Sequence, residues 1–300
     1  MLNTHIEHPE DTILTGDLSV LDALKTEGHL SLKIDGSPAI IWGTHPKTKK
    51  FFVGTKSVFN KKLIKVNYTH NDIDNNHKGH VGIILHSCLS NLPRTDNIYQ
   101  GDFVGFGGDN VYQPNTVTYV FRNEIEQTIV VAPHTQYPVD LIDDEITGNV
   151  LRCLSAVPLN AKLTSSLETK FIQPLAKCKL TEEIENKIQF AKTIASTINF
   201  IDNQKEANAL KKELNCKIRF SLPILPEIFA DYNPNLIGYW LLIKQIKEMI
   251  LEECTHNMFK AYINGVRSHH GEGYVIDGAF GTFKLVSREE FSCANFERHR

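Results

Sequence analysis

Lys33 closes the short apolar stretch Leu30-Ser31-Leu32 and is followed by Ile34, Asp35 and Gly36. This spacing sets an amine at a strand-to-turn junction, with a carboxylate two residues on and on the same side of an extended chain. A lysine amine is almost fully protonated at neutral pH and becomes a nucleophile only when a nearby cation or desolvation lowers its pKa. Lys33, oriented by Asp35, is therefore the first candidate for covalent chemistry. Glu272, in His269-His270-Gly271-Glu272, precedes the strand-like Tyr274-Val275-Ile276, where a strand-end acid is common. Lys284 lies in the strand-like Gly281-Thr282-Phe283-Lys284-Leu285, where a lysine can cap a strand edge. His269 and His270 are metal ligands or loop residues. The segment from Asn67 to His80 holds His70, His77 and His80 with Asp72 and Asp74, but matches no standard metal signature and reads as a solvated loop.

The elements that must position these residues follow from periodicity. Thr15 to Glu27 predicts a helix, with Leu18, Leu21 and Leu24 on one face and Gly28 ending it. Residues 30–34, 38–43 and 50–55 predict strands separated by the turn residues Asp35 to Pro38 and by a polar loop, giving an antiparallel meander with Lys33 near its first turn. A helix is predicted over His80 to Ser90, and strands over Ile98 to Gly105, Thr116 to Phe121 and Thr128 to Pro133. Thr181 is an N-cap for a helical stretch reaching Asn215, and Asn235 to Asn264 is helical again. Strand patterns return after Gly265. The predicted class is α+β: an antiparallel-sheet core in residues 1–137 and 265–300, with a mainly helical insertion lobe over 138–264.

The 300 residues are 41% hydrophobic and 22% charged, an ordinary globular composition. The net charge of -3 argues against holding nucleic acid by bulk electrostatics and leaves only a local patch for that role. No basic leader or membrane-length apolar run is present, so a soluble, cytoplasmic protein without a membrane partner is expected. The six cysteines include no C-x-x-C pair and read as free thiols in a reducing compartment.

Lys33-Ile34-Asp35-Gly36 resembles the first motif of the covalent nucleotidyltransferase superfamily of ATP-dependent DNA ligases, RNA ligases and mRNA capping enzymes, and more narrowly the ligase-like proteins of tailed bacteriophages. Further segments follow in the family's order. Gly54-Thr55-Lys56-Ser57 falls at the next motif, with lysine where arginine is common. Gln100 to Val104 resembles a strand in which Asp102 replaces the usual glutamate. Thr118 to Phe121 resembles the motif whose aromatic ring stacks on the base, Glu272 to Ile276 the metal-holding motif, and Phe283 to Val286 the phosphate motif, with one lysine rather than two. The resemblance covers residues 29–135 and 265–290 and implies an ATP-grasp-like ligase adenylylation core, here expected without a C-terminal OB domain because the chain ends soon after Lys284. It implies that Lys33 and Asp35 are catalytic, that Lys33, Gly36, Lys56, Phe121 and Lys284 bind the nucleotide, and that Glu272 and Asp102 hold Mg2+ or Mn2+. The implied activity is ATP-dependent sealing of RNA or DNA strand ends or nicks by a monomer, in the host cytoplasm if phage-encoded. The alternatives are adenylylation of an acceptor other than nucleic acid, and a catalytically weakened nucleic-acid-binding relative.

Overall fold

The computed structural model describes residues 6–25, 29–60, 62–138 and 156–298. In chain order come helices α1 (Pro9–Thr12) and α2 (Ser19–Ala23), then strands β1 (His29–Leu32), β2 (Ala39–Thr44) and β3 (Phe51–Gly54). Helices α3 (His70–Asn76) and α4 (Gly79–Asn91) follow, and then β4 (Ile98–Phe106), β5 (Asp109–Tyr112), β6 (Val117–Ile125), β7 (Ile129–Tyr137), β8 (Val157–Pro158), β9 (Thr169–Phe171) and β10 (Lys177–Cys178). Helices α5 (Glu182–Ile194), α6 (Gln204–Arg219) and α7 (Pro234–Glu253) lead to β11 (Cys254–Thr255), β12 (Phe259–Ile263), β13 (Val266–Ser268), β14 (Tyr274–Gly278), β15 (Gly281–Leu285) and α8 (Cys293–Arg298). The fold is α+β, with mostly antiparallel strand pairs among the described residues and β9 joined to β7 in parallel.

The chain divides into two units, one of Ile34–Gln173 and one of Thr4–Lys33 with Pro174–Arg300. The first is built on a sheet ordered β3-β2-β4-β7-β8. Ile40 and Trp42 of β2 face Ile84, Leu85, Cys88 and Leu89 of α4, while Ile41 faces the other way, toward Phe52, Val58 and Tyr137. With both faces covered, β2 and β3 read as continuous apolar runs rather than as an alternation. Each large side chain buried this way contributes about 1.5–3 kcal/mol, enough to fix the register of the sheet.

The second unit is built on β15-β14-β1. Leu30 and Leu32 lie opposite Ile276 and Tyr274, which lie opposite Phe283 and Leu285. Paired residues share a face, so this face is apolar, and α2 and α7 pack against β15 there. The opposite face carries Ser31, Val275 and Lys284. Thr181 caps α5 by accepting from the Ile184 amide, as predicted, and Ile184, Ile188 and Ala191 are buried.

Three expectations are corrected. β1 and β2 are not a hairpin: β1 pairs with β14, from the far end of the chain, and β2 pairs with β3 and β4. The Asp35–Pro38 turn does not return the chain along β1, because Ser37 donates to the Phe103 carbonyl and Phe103 to the Pro38 carbonyl, both at 3.0 Å, which seats it on β4. The helical stretch to Asn264 ends at Glu253; Phe259, Ala261 and Ile263 are buried with exposed Lys260 between them, a strand period of two. The helix over Thr15 to Glu27 shrinks to Ser19–Ala23, and the end of that expectation, residues 26–28, lies outside the described residues. Helices α5–α7 share a unit with β1, β14 and β15, and α7 packs on that sheet. Residues 139–155 of the expected insertion lie outside the described residues.

Candidate active site

Lys33 extends β1 by one residue, and its amide donates to the Gly273 carbonyl at 2.9 Å. Alternation puts its side chain on the face of Ser31, Val275 and Lys284. Its ammonium pairs with the carboxylate of Glu272, 239 residues away in sequence. Lys33 keeps 31% of its side chain exposed and Glu272 9%, so the pair stands at the surface of the sheet with its carboxylate sunk below. Gly273 makes this geometry available. Its φ of +125° favours glycine, and a methyl there would stand 2.2 Å from the Leu285 carbonyl oxygen, so only glycine lets the chain turn from Glu272 into β14.

Lys284 sits opposite Val275 on β15, and its amide donates to the Glu7 carbonyl at 3.0 Å. Burial lowers its amine below the ordinary lysine value, and the positive charge of Lys33 pushes the same way, against Glu7. Two lysines on one half-buried face repel until an anion arrives, an arrangement that suits a phosphate. His270 lies on the turn before Glu272; burial, then His269 and His256, push it down to about 4, so it is neutral at physiological pH.

The remaining predicted residues belong to the Ile34–Gln173 unit. Asp35 is buried, and its carboxylate accepts from the Thr116 amide at 2.7 Å, the Val117 amide at 3.2 Å and the Asn115 side chain at 2.9 Å. Its own amide donates to the Tyr119 hydroxyl at 2.6 Å. Asp35 thus fixes the backbone beside Lys33 to β6. Gly36 is required by contact: a methyl on it would lie 2.7 Å from Asp102 Cβ and 2.9 Å from the Phe103 carbonyl. Asp102 lies 3.7 Å from His134 Nε2. Phe121 is 8% exposed and packs edge-on against Tyr112, with ring centres 5.7 Å apart. Lys56 is exposed on a single 3-10 turn capped by Thr55.

A family profile described as a family of unknown function (DUF6267) matches residues 3–231 and 226–300, nearly the whole chain. The chain belongs to DUF6267. No curated protein and no solved structure matches it.

In this DUF6267 chain the histidine-rich segment is spent on structure. Thr69 and Asp72 form a capping box on α3, and Asp74 meets His86 at 3.0 Å while His86 meets His70 at 2.7 Å. Among the described residues, no group of three or more His, Cys, Asp or Glu side chains is arranged to hold a metal. No helix among them is long and apolar enough to cross a membrane.

One cluster escaped sequence reasoning. Glu10 accepts from Lys247 at 2.7 Å and from Arg288 at 3.0 Å, and Arg288 also reaches Asp11 at 3.0 Å. Trp240 donates to Asp11 at 3.1 Å, and Arg288 to Asn215. Burial alone would raise Glu10, but the charges of Lys247 and Arg288 hold it well below the usual carboxylate range. A signal for this network existed: Ile243, Ile246, Lys247 and Ile250 form one helical stripe, and a lysine on a buried stripe demands an acid partner.

Proposed function

We propose that this chain is an ATP-dependent polynucleotide ligase of the RNA-ligase type, built on an antiparallel nucleotidyltransferase core. The observation that carries this is the Lys33–Glu272 pair beside Lys284, a lysine held by a carboxylate on a sheet face with a second cation of lowered pKa. Glu272, already holding the ammonium, takes a proton to free the amine. The Lys33 nitrogen then bonds to the α-phosphorus of ATP as the bond to the bridging oxygen breaks, pyrophosphate leaves, and the second amine proton passes to solvent. Lys284 offsets phosphate charge as it redistributes, the kind of positioning and charge neutralisation on which phosphoryl transfer depends. A 5′-phosphate oxygen next displaces Lys33 from the adenylyl group. A 3′-hydroxyl finally attacks that 5′-phosphate and releases AMP, joining the strands.

Magnesium is held in such sites by one or two carboxylates plus substrate phosphates rather than by a protein cage, so the Glu272 carboxylate fits the donor set, and the resemblance implies Asp102 as a second ligand. When bound, the metal neutralises triphosphate charge. The resemblance also implies nucleotide contacts from Lys56 and Phe121 of the Ile34–Gln173 unit. The five described cysteines are all free thiols, which suits a cytoplasmic setting.

The test is incubation with magnesium and ATP labelled at the α-phosphate. The expected result is a mass increase of one AMP on the protein, absent from Lys33→Met, and transfer of that label to a 5′-phosphorylated nick. No label on the folded wild type with ATP or GTP would sink the covalent mechanism; label without transfer would assign a different acceptor.

A further inference from the structure

We propose that Cys178 and Cys254 form a reversible intrachain disulfide under oxidation, a modification site at the margin of the strands that carry Lys33. The two residues are direct partners in the antiparallel pair of β10 and β11. Direct partners on such strands have Cα atoms about 4.5–5.5 Å apart, inside the 4.4–6.8 Å that a disulfide spans. Their Cβ atoms, about 4.5–5.5 Å apart in such pairs, start at the upper limit of the disulfide range and must draw closer to bond, which favours a strained bond that cellular thiols reopen. The Cys178 thiol donates to the Ile250 carbonyl at 3.6 Å, and Cys254 beside it pulls the Cys178 thiol below its ordinary value against burial and the charge of Glu253. Cys178 is half-buried and reachable, whereas Cys254 is 3% exposed. These are the attributes of an attacking and a resolving thiol.

The chemistry balances with a peroxide as oxidant. The Cys178 thiolate attacks the peroxide O–O bond, giving a sulfenic acid and hydroxide. Cys254 sulfur then attacks the Cys178 sulfur, the S–O bond breaks, and the thiol proton leaves with the oxygen as water. Two thiols and one peroxide become one disulfide and two waters.

The pair has a structural route to Lys33. Just before β10, the Leu32 amide donates to the Pro174 carbonyl and the Ala176 amide to the Leu30 carbonyl, both at 3.1 Å, so this segment borders β1. On the other strand, the Tyr274 hydroxyl donates to the Cys254 carbonyl at 3.3 Å. Tyr274 is fully buried opposite Leu32 and follows Gly273, whose carbonyl binds the Lys33 amide. Drawing the two strands together displaces partners of β1 on both sides. The consequence, which rests on the lysyl-AMP reading, is that oxidation lowers adenylylation of Lys33.

The experiment treats the full chain with hydrogen peroxide or glutathione disulfide, alkylates the remaining thiols and maps peptides by mass. Expected is a linked peptide containing Cys178 and Cys254, lighter by two hydrogens, reopened by dithiothreitol and absent from Cys178→Ser. Thiols that both stay alkylatable, a link to a different cysteine, or oxygen addition without a link would each overturn the bond. Labelling with ATP before and after oxidation is expected to fall at least several-fold and to recover on reduction. Equal labelling in both states overturns the coupling to Lys33, while absence of label in the reduced state as well counts against the ligase reading and leaves the disulfide standing on its own mass data.

Discussion

Two lysine–glutamate pairs in one unit of this chain serve different ends. Lys247 and Glu10 are both 0% exposed, whereas Lys33 keeps 31% of its side chain in contact with solvent. Moving two charges out of water costs several kcal/mol per ion, and the attraction offsets this only where further hydrogen bonds complete the geometry. Around Glu10 several form: Arg288, Asp11, Trp240 and Asn215 make a connected set that ties α1 to α6, α7 and the segment after β15, while Glu10 Oε2 and Asp11 Oδ2 accept none among the described residues. Lys33 stays partly in water, and a half-open pair contributes only about 0–1 kcal/mol. One pair ties three helices together; the other stands partly in water, where the proposed function places the reactive amine.

The contrast is broken most directly at Lys247. Lys247→Met leaves Glu10 with a buried charge facing Arg288 alone, and urea denaturation is expected to show a loss of about 3–5 kcal/mol. Lys33→Met, measured in the same way, is expected to lose less than about 1 kcal/mol while abolishing nucleotide labelling. Equal stability losses in the two variants would erase the distinction between a structural pair and a chemical one.

Acid sharpens the same contrast. Burial, and then the charges of Arg288, Lys284 and Lys247, hold His8 well below its usual value despite Glu10, so it stays neutral in the fold. The unfolded chain protonates near pH 6.5 and the folded chain does not, so stability is full above that pH and declines as pH falls below it. A single histidine contributes up to about 1.4 kcal/mol per pH unit in this window. His270, pushed down to about 4, acts in the same direction down to that pH, more weakly because it is more open. His8→Asn should therefore flatten the decline of the melting temperature between pH 6.5 and 4, whereas Lys33→Met should leave it unchanged. An unaltered slope in His8→Asn would mean that the histidine is charged in the fold.

How much of this was legible beforehand depended on the distance over which each feature is encoded. The hairpin of β14 and β15 and the cap at Thr181 are local, and alternation or a single hydroxyl announces them. The strand character of Leu30 to Leu32 is also local, but its partner lies beyond residue 270, and no local signal could separate that pairing from a hairpin with Ala39 to Thr44. Glu10 and Asp11 read as acids in the first turn of a surface helix, and only the long-range packing of α1 on α7 turns them inward. Lys33 is named by its Lys-x-Asp-Gly spacing, and Glu272 and Lys284 by the resemblance of their segments to a known family, while Gly36 and Gly273 stand where the backbone approaches another strand closely. Asp35 was read as orienting the amine; what the sequence did not reveal was that Asn115, Thr116 and Val117 would take its carboxylate.

The finest probe of the contrast is Lys284, where the expected stability change is small and of unusual sign. Its amine is held below the ordinary lysine value by burial and by Lys33, so over neutral and mildly alkaline pH the fold carries a charge that the unfolded chain carries at lower cost. Stability should rise with pH between the folded and unfolded values, because there the unfolded chain binds the extra proton. Lys284→Met removes the penalty and should stabilise the protein by less than about 1 kcal/mol at pH 7, with the alkaline rise abolished. The same variant should label poorly with ATP, because the anion that Lys284 awaits has lost a partner. Stability that falls on this substitution would mean that Lys284 belongs with Lys247, as a strut rather than a site.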